Sequence, residues 1–401
     1  MHFNISVVSF AAAAATEAAS PAILYAASYS GGITSLKLSN TDSGYTLKNI
    51  SVATGCGANP VWLEQDKSNN ILYSSDEAGT LGTFRVPAVN SSAAGVLEAL
   101  TEMNTSYAPV ASTRFNNSGQ PAIAFANYGS PDGGPPGPAG ITVYTIKDNG
   151  VLQHRFNMSV HYPVSGPNKE RQSAAHIHQV VLDPTGKFIV APDLGYDRVH
   201  VFSLHNSSYL LTQLDGVGLE PSSGPRHGVF HTAGKNTFFH VVSELANNIT
   251  SFNVTYDGKN SMSMTQIGKV STFGNKAVPS GALAGEIIIS EEGYITVSNR
   301  LDNSFLIPNV DPSVADPEQS DSLAVFKVDS QGKLSFVNLY PVGCQSPRQI
   351  QTNKEGSLIA AACMANNRVV VMQRNSTSGE IGQFVANYTL PGATYIGWDE
   401  L

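Results

Sequence analysis

The hydrophobic residues of this chain fall in short runs that alternate with polar turns. A typical unit begins near a proline or histidine, reaches a polar turn and returns as a second apolar run. It then passes a cluster of Asn, Asp or Glu and ends in a third run. Short apolar runs bounded by turn residues predict β-strands, and a repeat of this size is typical of one propeller blade. Six such units begin at Asn59, Ala108, His176, Gly224, Ala284 and Ser346.

A seventh unit is divided between the two ends of the chain. Residues 23–36 have the pattern of a second and third strand without a first, and the tail near Ala393 supplies a candidate for the missing strand. Pairing of the two ends would close the ring and leave no long unpaired edge. The pattern therefore predicts an all-β fold: a seven-bladed β-propeller closed by N-terminal strands with a C-terminal strand, formed as a single domain by residues 21–401.

Two segments interrupt the repeat. Residues 128–140 are rich in Pro and Gly, and residues 307–322 are acidic with three prolines. The repeat resumes after each of them, so both are predicted to be long loops within the propeller and not linkers between domains.

Composition agrees with many short strands and excludes several classes of function. The chain has 401 residues, 36 Gly and 22 Pro, and only 13% of its residues are charged. Its net charge of −8 argues against a nucleic-acid partner, since phosphate backbones require a basic surface. Neither a phosphate-binding loop, a dinucleotide fingerprint nor a nucleophile elbow occurs, and no cofactor is predicted.

The first twenty residues differ from the rest. Residues 7–15 are apolar and small, and Ala18, Ala19, Ser20 and Pro21 offer small residues for a signal peptidase. This pattern predicts a signal peptide over residues 1–20, with a disordered alanine-rich leader as the alternative. No later segment is long and apolar enough to span a bilayer.

Acceptor sequences for N-glycosylation recur throughout the remaining chain, mostly in polar stretches. They favour a secreted glycoprotein, because this modification marks surface positions of secreted proteins. The ten acceptors are Asn49, Asn90, Asn104, Asn116, Asn157, Asn206, Asn248, Asn253, Asn375 and Asn387.

Several motifs resemble one propeller family. They are residues 176–188 (HIHQVVLDPTGKF), 192–199 (PDLGYDRV), 224–227 (GPRH), 243–245 (SEL), 298–300 (SNR) and 346–348 (SPR). With these motifs the chain resembles the seven-bladed lactonase family, which includes bacterial 6-phosphogluconolactonases and fungal carboxy-cis,cis-muconate cyclases. The resemblance spans nearly the whole chain after the leader and implies the seven-bladed ring, while members of the family differ in their reactions.

Equivalent positions of the repeat should meet at one mouth of the central channel. Counting back eight residues from the turn glycine of each clear unit selects His178, Arg226 and Arg348, and the same count selects Gly285 beside Glu286. The second strands return to the same mouth. Those strands end at Asp193, Glu244, Arg300 and Cys363, with Glu77 at the end of the corresponding strand in the first unit.

Arginines gathered in an otherwise charge-poor chain suit a small polycarboxylate, because guanidinium binds carboxylates in a bidentate manner. A neighbouring His and Glu could transfer a proton. The resemblance implies that His178, Arg226, Glu244 and Arg300 are catalytic. His176, Asp193, Arg348 and Glu77 are the further candidates for binding substrate.

Each of these residues also has a structural interpretation. An Arg or Glu at a blade edge often forms an ion pair between blades. His176 and His178 face the same way on a strand and could bind a metal, but without a clear third ligand no metal site is predicted. Asp193 and Asp197 are typical of turn chemistry, and His227, His231 and His240 are expected to pack or hydrogen-bond within a blade.

Two classes of function remain open. The first is an enzyme that forms or opens a lactone on a small anionic carboxylate, by a carboxymuconate cyclase route or, alternatively, as a 6-phosphogluconolactonase-like hydrolase. The second is a secreted binding or adhesion glycoprotein that keeps the ring without the reaction. The number of glycosylation acceptors favours the second class, whereas retention of all four catalytic candidates favours the first.

Three cysteines allow one disulfide in an oxidising compartment. Cys344 precedes the inner strand of the last full unit, and Cys363 ends the neighbouring strand, so pairing around the intervening turn brings them together. Cys56 occupies the place of Cys344 in another unit. The composite blade would separate these two units, so the two cysteines would lie two blades apart, which exceeds the reach of a disulfide. A Cys344–Cys363 bridge is therefore predicted, with Cys56 as a free thiol.

Overall fold

The computed structural model describes residues 22–42, 44–130, 137–162, 165–205, 208–258 and 260–400. The expected signal peptide and the acceptor Asn206 lie outside these ranges. Within them, every regular element is a β-strand, and the strands form seven four-stranded antiparallel sheets and one small hairpin. No helix long and apolar enough to cross a membrane occurs among the described residues.

Six sheets are blades built from consecutive segments. Each is given from its innermost strand outward. Blade 1 contains β4 (Pro60–Asp66), β5 (Ile71–Asp76), β6 (Thr80–Arg85) and β7 (Glu98–Asn104). Blade 2 contains β8 (Pro109–Asn117), β9 (Gln120–Asn127), β10 (Gly140–Ile146) and β11 (Leu152–Ser159). Blade 3 contains β12 (Val181–Leu182), β13 (Phe188–Asp193), β14 (Arg198–Leu204) and β15 (Leu211–Gly218).

The chain then continues around the ring. Blade 4 contains β16 (Pro225–Ala233), β17 (Asn236–Ser243), β18 (Asn248–Tyr256) and β19 (Met262–Ser271). Blade 5 contains β20 (Leu283–Ile289), β21 (Tyr294–Arg300), β24 (Ser322–Val328) and β25 (Leu334–Pro341). Blade 6 contains β26 (Pro347–Thr352), β27 (Leu358–Cys363), β28 (Arg368–Arg374) and β29 (Ile381–Thr389).

The seventh blade is composite and closes the ring. Its order from the inside is β30 (Ala393–Asp399), β1 (Ala22–Ser28), β2 (Ile33–Thr41) and β3 (Gly44–Ala53). β30 pairs antiparallel with β1, and the Tyr25 hydroxyl donates to Asp399 Oδ2 at 3.0 Å. The fold and its mode of closure are as predicted from the repeat.

The core lies between the blades. The second strand of a blade is covered on both faces by its neighbours, so β1, β13 and β27 are buried along their whole length. Such strands appear in the sequence as continuous apolar runs, whereas the outermost strand β11 is largely exposed and alternates. Leu24 of the composite blade and Ala360 of blade 6 belong to one buried cluster, which shows how adjacent blades share a core.

The two predicted insertions behave differently. Most of residues 307–322 belong to a separate hairpin, whose strands are β22 (Phe305–Ile307) and β23 (Glu318–Ser320). Arg368 holds this hairpin through two contacts to Glu318 at 2.8 and 2.9 Å. Of the other insertion, residues 131–136 lie outside the described ranges, and Gly140 already begins β10. In blade 6, Cys344 and Cys363 form a disulfide with their Cα atoms 6.1 Å apart, and Cys56 is a buried free thiol.

Candidate active site

A β-bulge recurs at the start of the innermost strands. In blade 4 the register with β17 shifts between Pro225 and His227, so Arg226 is an extra residue without a partner opposite it. The same shift occurs between Pro347 and Gln349 in blade 6. Bulges re-aim side chains and are common beside active sites. Here the bulge directs an arginine of each blade into the central channel.

Similar irregularities occur in the innermost strands of the other blades. The innermost strands of blades 1, 2 and 5 and of the composite blade also change register near their first residues, and in blade 3 the irregular run before β12 makes an isolated bridge from Ile177 to Asp193. The side chains delivered in this way share one internal cavity: Val61, Val110, His178, Arg226, Glu286, Arg348 and Thr394. The eight-residue count from the turn glycines therefore identified structurally equivalent positions.

Just above this ring, the mouth of the channel opens into a cavity of about 290 Å³. It is lined by six of the eight predicted site residues, which come from five different blades. These residues are Glu77, His178, Arg226, Glu244, Arg300 and Arg348.

Glu244 is the centre of the charged cluster. Its Oε2 lies 2.7 Å from Arg300 Nη2 and 3.2 Å from Arg226 Nε, and its Oε1 lies 2.5 Å from Arg171 Nη1. Burial alone would raise the pKa of Glu244, but the guanidinium groups of Arg300, Arg171 and Arg226 outweigh it and lower the pKa to about 2. Glu244 is thus a permanent carboxylate that organises three arginines.

Two of these arginines are also fastened to the backbone. Arg226 Nη1 donates to the carbonyl of Gly285 at 3.0 Å, and Arg300 Nη2 donates to the carbonyl of Ala284 at 3.1 Å. Burial, followed by the charge of Arg300, lowers the pKa of Arg226 to about 9, so it stays protonated at neutral pH. The cluster is therefore rigid and positively charged.

On the other side of the mouth, Arg348 pairs with Glu77 at 3.0 Å, and Glu77 also accepts a hydrogen bond from the Tyr29 hydroxyl at 2.9 Å. Tyr29 follows the composite blade's first described strand, so this contact links the two ends of the ring to the site. The arrangement aligns a fourth guanidinium beside the cavity.

The histidine of the site belongs to a hydrogen-bonded chain. His178 Nδ1 lies 3.0 Å from His227 Nε2, and His227 Nδ1 lies 2.7 Å from Glu286 Oε1. All three side chains are buried. Burial, followed by the charge of Arg226, lowers the pKa of His178 well below its usual value. His178 is therefore neutral and available as a base at neutral pH.

Two predicted binding residues do not line the cavity. His176 stacks on Tyr128 with ring centroids 4.1 Å apart, and its Nδ1 contacts the Tyr128 carbonyl at 3.0 Å. Asp193 is fully buried, where it accepts the backbone N–H groups of His176 and Gly195 and contacts His200. Both residues instead make contacts that hold the irregular segment around His178 in place.

Arg171 and Tyr128 were missed by the sequence reasoning, although both line the cavity. Arg171 lies in the connection between blades 2 and 3, where the repeat offers no equivalent position. The neighbouring Gln172 anchors this connection by donating to Asp197 Oδ1 at 2.8 Å and to the carbonyl of Leu194 at 2.9 Å. Only the tertiary fold brings this loop to the mouth.

The opposite mouth of the channel holds a larger cavity of about 440 Å³, lined by aromatic side chains together with Glu64, Lys67, Lys354 and Glu400. Its charges balance, and Glu64 already accepts a hydrogen bond from Ser112 at 3.3 Å. The site of chemistry is therefore assigned to the smaller cavity, where the unbalanced charge lies. In the described part of the chain, no cluster of three or more His, Cys, Asp or Glu side chains could hold a metal ion.

Fold and site together define an all-β, seven-bladed propeller whose channel mouth gathers buried arginines, glutamates and a neutral histidine. Residues 23–398 match the family described as lactonase, 7-bladed β-propeller. The chain belongs to the seven-bladed β-propeller lactonase family.

Individual relatives agree with this family. A protein of Arthroderma benhamiae named "Probable 6-phosphogluconolactonase" is 29% identical over 327 residues, which is 80% of this chain and 75% of the relative. The 6-phosphogluconolactonase of Bacillus subtilis is 23% identical, covering 90% of this chain and 93% of its own. The periplasmic gluconolactonase of Pseudomonas aeruginosa has the same fold, with a TM-score of 0.75 and 21% identity over 94% of this chain and 99% of its own.

Proposed function

We propose that this protein is a hydrolase that opens an anionic lactone at the channel mouth. One observation carries the proposal: four guanidinium groups and two carboxylates surround a neutral histidine in a cavity of about 290 Å³. The excess of two positive charges suits a substrate bearing a phosphate or carboxylate. The names of the lactonase relatives support ring opening over the carboxymuconate cyclase route.

The reaction needs one base and one site for developing negative charge. His178 removes a proton from a water molecule, and the water oxygen forms a bond to the lactone carbonyl carbon. The carbonyl electrons move onto oxygen, where a guanidinium group stabilises the oxyanion. When the carbonyl re-forms, the ring C–O bond breaks and the leaving alkoxide takes the proton from His178. One lactone and one water become one hydroxy acid, and His178 returns to its neutral state.

Glu244 has a different role from the one expected. The sequence suggested it as a partner of His178 in proton transfer, but three guanidinium groups hold its pKa at about 2. A carboxylate of this kind is a weak base and is never protonated near neutrality. It orients the arginines, and His178 alone moves the proton.

The proposal is tested by assaying the purified chain with 6-phosphogluconolactone, gluconolactone and carboxymuconate. We expect hydrolysis of the phosphorylated lactone to exceed that of the neutral lactone, because only the former meets the arginines with a dianionic group. Arg300→Ala should lower kcat/KM at least about 100-fold, the scale reported for loss of one oxyanion donor. Arg85→Ala is the matched control, since Arg85 lies exposed on blade 1 and pairs only with exposed Glu98.

Turnover of carboxymuconate alone would replace this proposal with the cyclase reaction. A folded chain that turns over none of the three compounds would contradict both lactone reactions. The Arg300→Ala variant must be shown to be folded at the assay temperature before its loss of activity is attributed to the site, since Arg300 also pairs with Glu244 and its removal should lower stability.

The proposal includes an extracellular location. Among the nine acceptor asparagines in the described ranges, Asn49, Asn90, Asn104, Asn116, Asn157 and Asn375 are exposed, while Asn248, Asn253 and Asn387 are half-buried. A disulfide also suits an oxidising compartment. Protein from the natural source should lose apparent mass on treatment with peptide N-glycosidase, and an unchanged mass would oppose this location.

A further inference from the structure

Two residues outside the predicted site form a chain of contacts with His178. His227 and Glu286 lie on the inner strands β16 and β20, and each follows a bulge residue. The bulge allows consecutive residues to face the interior, so Arg226 contributes to the mouth while His227 lies deeper against His178. The chain of contacts therefore crosses three blades.

The order of donors along this chain follows from its last member. Glu286 Oε1 accepts the backbone N–H of Ile287 at 3.0 Å and lies 2.7 Å from His227 Nδ1. A carboxylate oxygen between two nitrogens accepts from both, which places the proton of neutral His227 on Nδ1. His227 Nε2 then carries a lone pair and accepts the proton of His178 Nδ1 at 3.0 Å.

We propose that His227 and Glu286 are positioning residues that hold His178 as its Nδ1–H tautomer, so that Nε2 presents a lone pair to the cavity. The catalytic consequence of this tautomer rests on the proposed function, since a base requires an exposed lone pair. When His178 takes a proton, the positive charge is stabilised through His227 by the Glu286 carboxylate. Glu286, acting through His227, thus has the same effect on His178 as the carboxylate that orients the histidine of a catalytic triad.

The charged groups around His178 and His227 determine how a substitution of Glu286 should change the pH profile. Arg226 and Arg348 face both histidines, His178 and His227 face one another, and the Tyr128 ring meets the edge of His178. Among these groups only Glu286 supplies a negative charge in direct contact with the pair. Glu286→Gln keeps the shape and removes that charge, so the acid limb of the kcat/KM profile should move to lower pH.

The first test needs no substrate. Nitrogen-15 NMR of protein labelled at histidine should show His178 with its proton on Nδ1, the reverse of the preference of free histidine in water. The His178→Gln variant assigns its signals. His231→Gln is the matched control, because His231 lies on the same strand β16 as His227, stacks on Phe238 and should leave these signals unchanged. A proton on Nε2 of His178 would overturn the inference whatever the protein hydrolyses.

The second test uses activity. Glu286→Gln should lower kcat about 10- to 100-fold with KM nearly unchanged, at or below the lower end of the roughly 100- to 10,000-fold that direct proton transfer contributes, because Glu286 acts through His227. Glu286→Asp should restore part of the loss. A merely structural role would leave the pH profile in place, and that result would also overturn the inference. If the tautomer is as expected but no lactone is hydrolysed, the proposed function fails while the positioning of His178 stands.

Discussion

At the scale of single residues, the protein depends on buried ionisable groups whose neighbours decide their charge. Glu244 is ionised because three guanidinium groups surround it, whereas His178 is neutral because burial and adjacent arginines disfavour its charged form. Removing one member of such a cluster leaves the others buried without their counter-charge. Single substitutions there should affect stability as well as activity.

Glu244→Gln illustrates this coupling. Loss of the carboxylate leaves buried Arg226 and Arg300 without their counter-ion, which should destabilise the fold by about 3–5 kcal/mol. Thermal unfolding measures this directly. Glu98→Gln is the matched control and should change stability by less than about 1 kcal/mol, because its pair with Arg85 is exposed. Equal effects of the two substitutions would contradict the buried cluster.

His240 predicts a pH dependence of stability away from the site. It is fully buried on β17 and contacts Ser251 Oγ at 2.8 Å, and burial lowers its pKa to about 3. Between that value and the unfolded pKa of about 6.5, only the unfolded chain binds the proton. The stability associated with neutral His240 is therefore complete above about pH 6.5 and declines as pH falls toward 3.

The measurement compares wild type with His240→Gln in urea at several pH values. The wild type should lose stability relative to the variant by up to about 1.4 kcal/mol per pH unit below pH 6. A constant difference from pH 7 to pH 4.5 would show that folding does not lower the pKa of His240.

At the scale of elements, the bulge at the start of the inner strands turns side chains from different blades into the central channel, where they form the site. In blade 5 the bulge contains Gly285, whose carbonyl receives Arg226. A Cβ atom at this position would lie 2.6 Å from Ser298 Oγ, 3.1 Å from the Pro347 carbonyl and 3.3 Å from Arg300 Nε. The glycine is thus required by the close approach of two blades.

Gly285→Ala should therefore destabilise the protein by about 1–3 kcal/mol through overpacking and lower kcat/KM by displacing Arg300. Gly268→Ala on β19 is the control, because its added Cβ would meet no atom within 4 Å. Urea unfolding and the lactonase assay on both variants separate the effects. Wild-type activity and stability in Gly285→Ala would show that the blades can separate at no cost.

At the scale of the whole molecule, the ring is held closed by noncovalent contacts between the chain's two ends. β30 pairs with β1 over its full length, and Asp399 accepts hydrogen bonds from Tyr25 of the same blade and from Gln65 of blade 1 at 2.8 Å. Thr394 Oγ1 also donates to the Pro60 carbonyl at 2.8 Å. The last strand therefore joins the composite blade to blade 1.

Deletion of residues 393–401 should open the ring, expose the edge of β1 and uncover the side of blade 1 against which β30 packs. Exposed edges pair with other chains, so we expect aggregation or loss of cooperative unfolding. Deletion of residues 400–401 alone is the control, since β30 ends at Asp399. Size-exclusion chromatography with thermal unfolding distinguishes the two, and a monomeric, cooperatively unfolding 393–401 deletion would contradict closure by β30.

The repeat in the sequence was sufficient to predict the ring, its closure and the six channel positions that now line one cavity. This succeeded because blades 3, 4, 5 and 6 repeat the same spacing from the turn glycine to the bulge, so residues at equal distances from the turn occupy equivalent places in the ring. His178, Arg226 and Arg348 could be placed together for that reason. The tertiary structure alone decided the rest. Arg171 reaches Glu244 from a connection outside the repeat, and a bulge turns His227 and Glu286 inward against the two-residue alternation of a regular strand. The charge states of the site follow from those contacts, since burial and neighbouring guanidinium groups exist only once seven blades have closed.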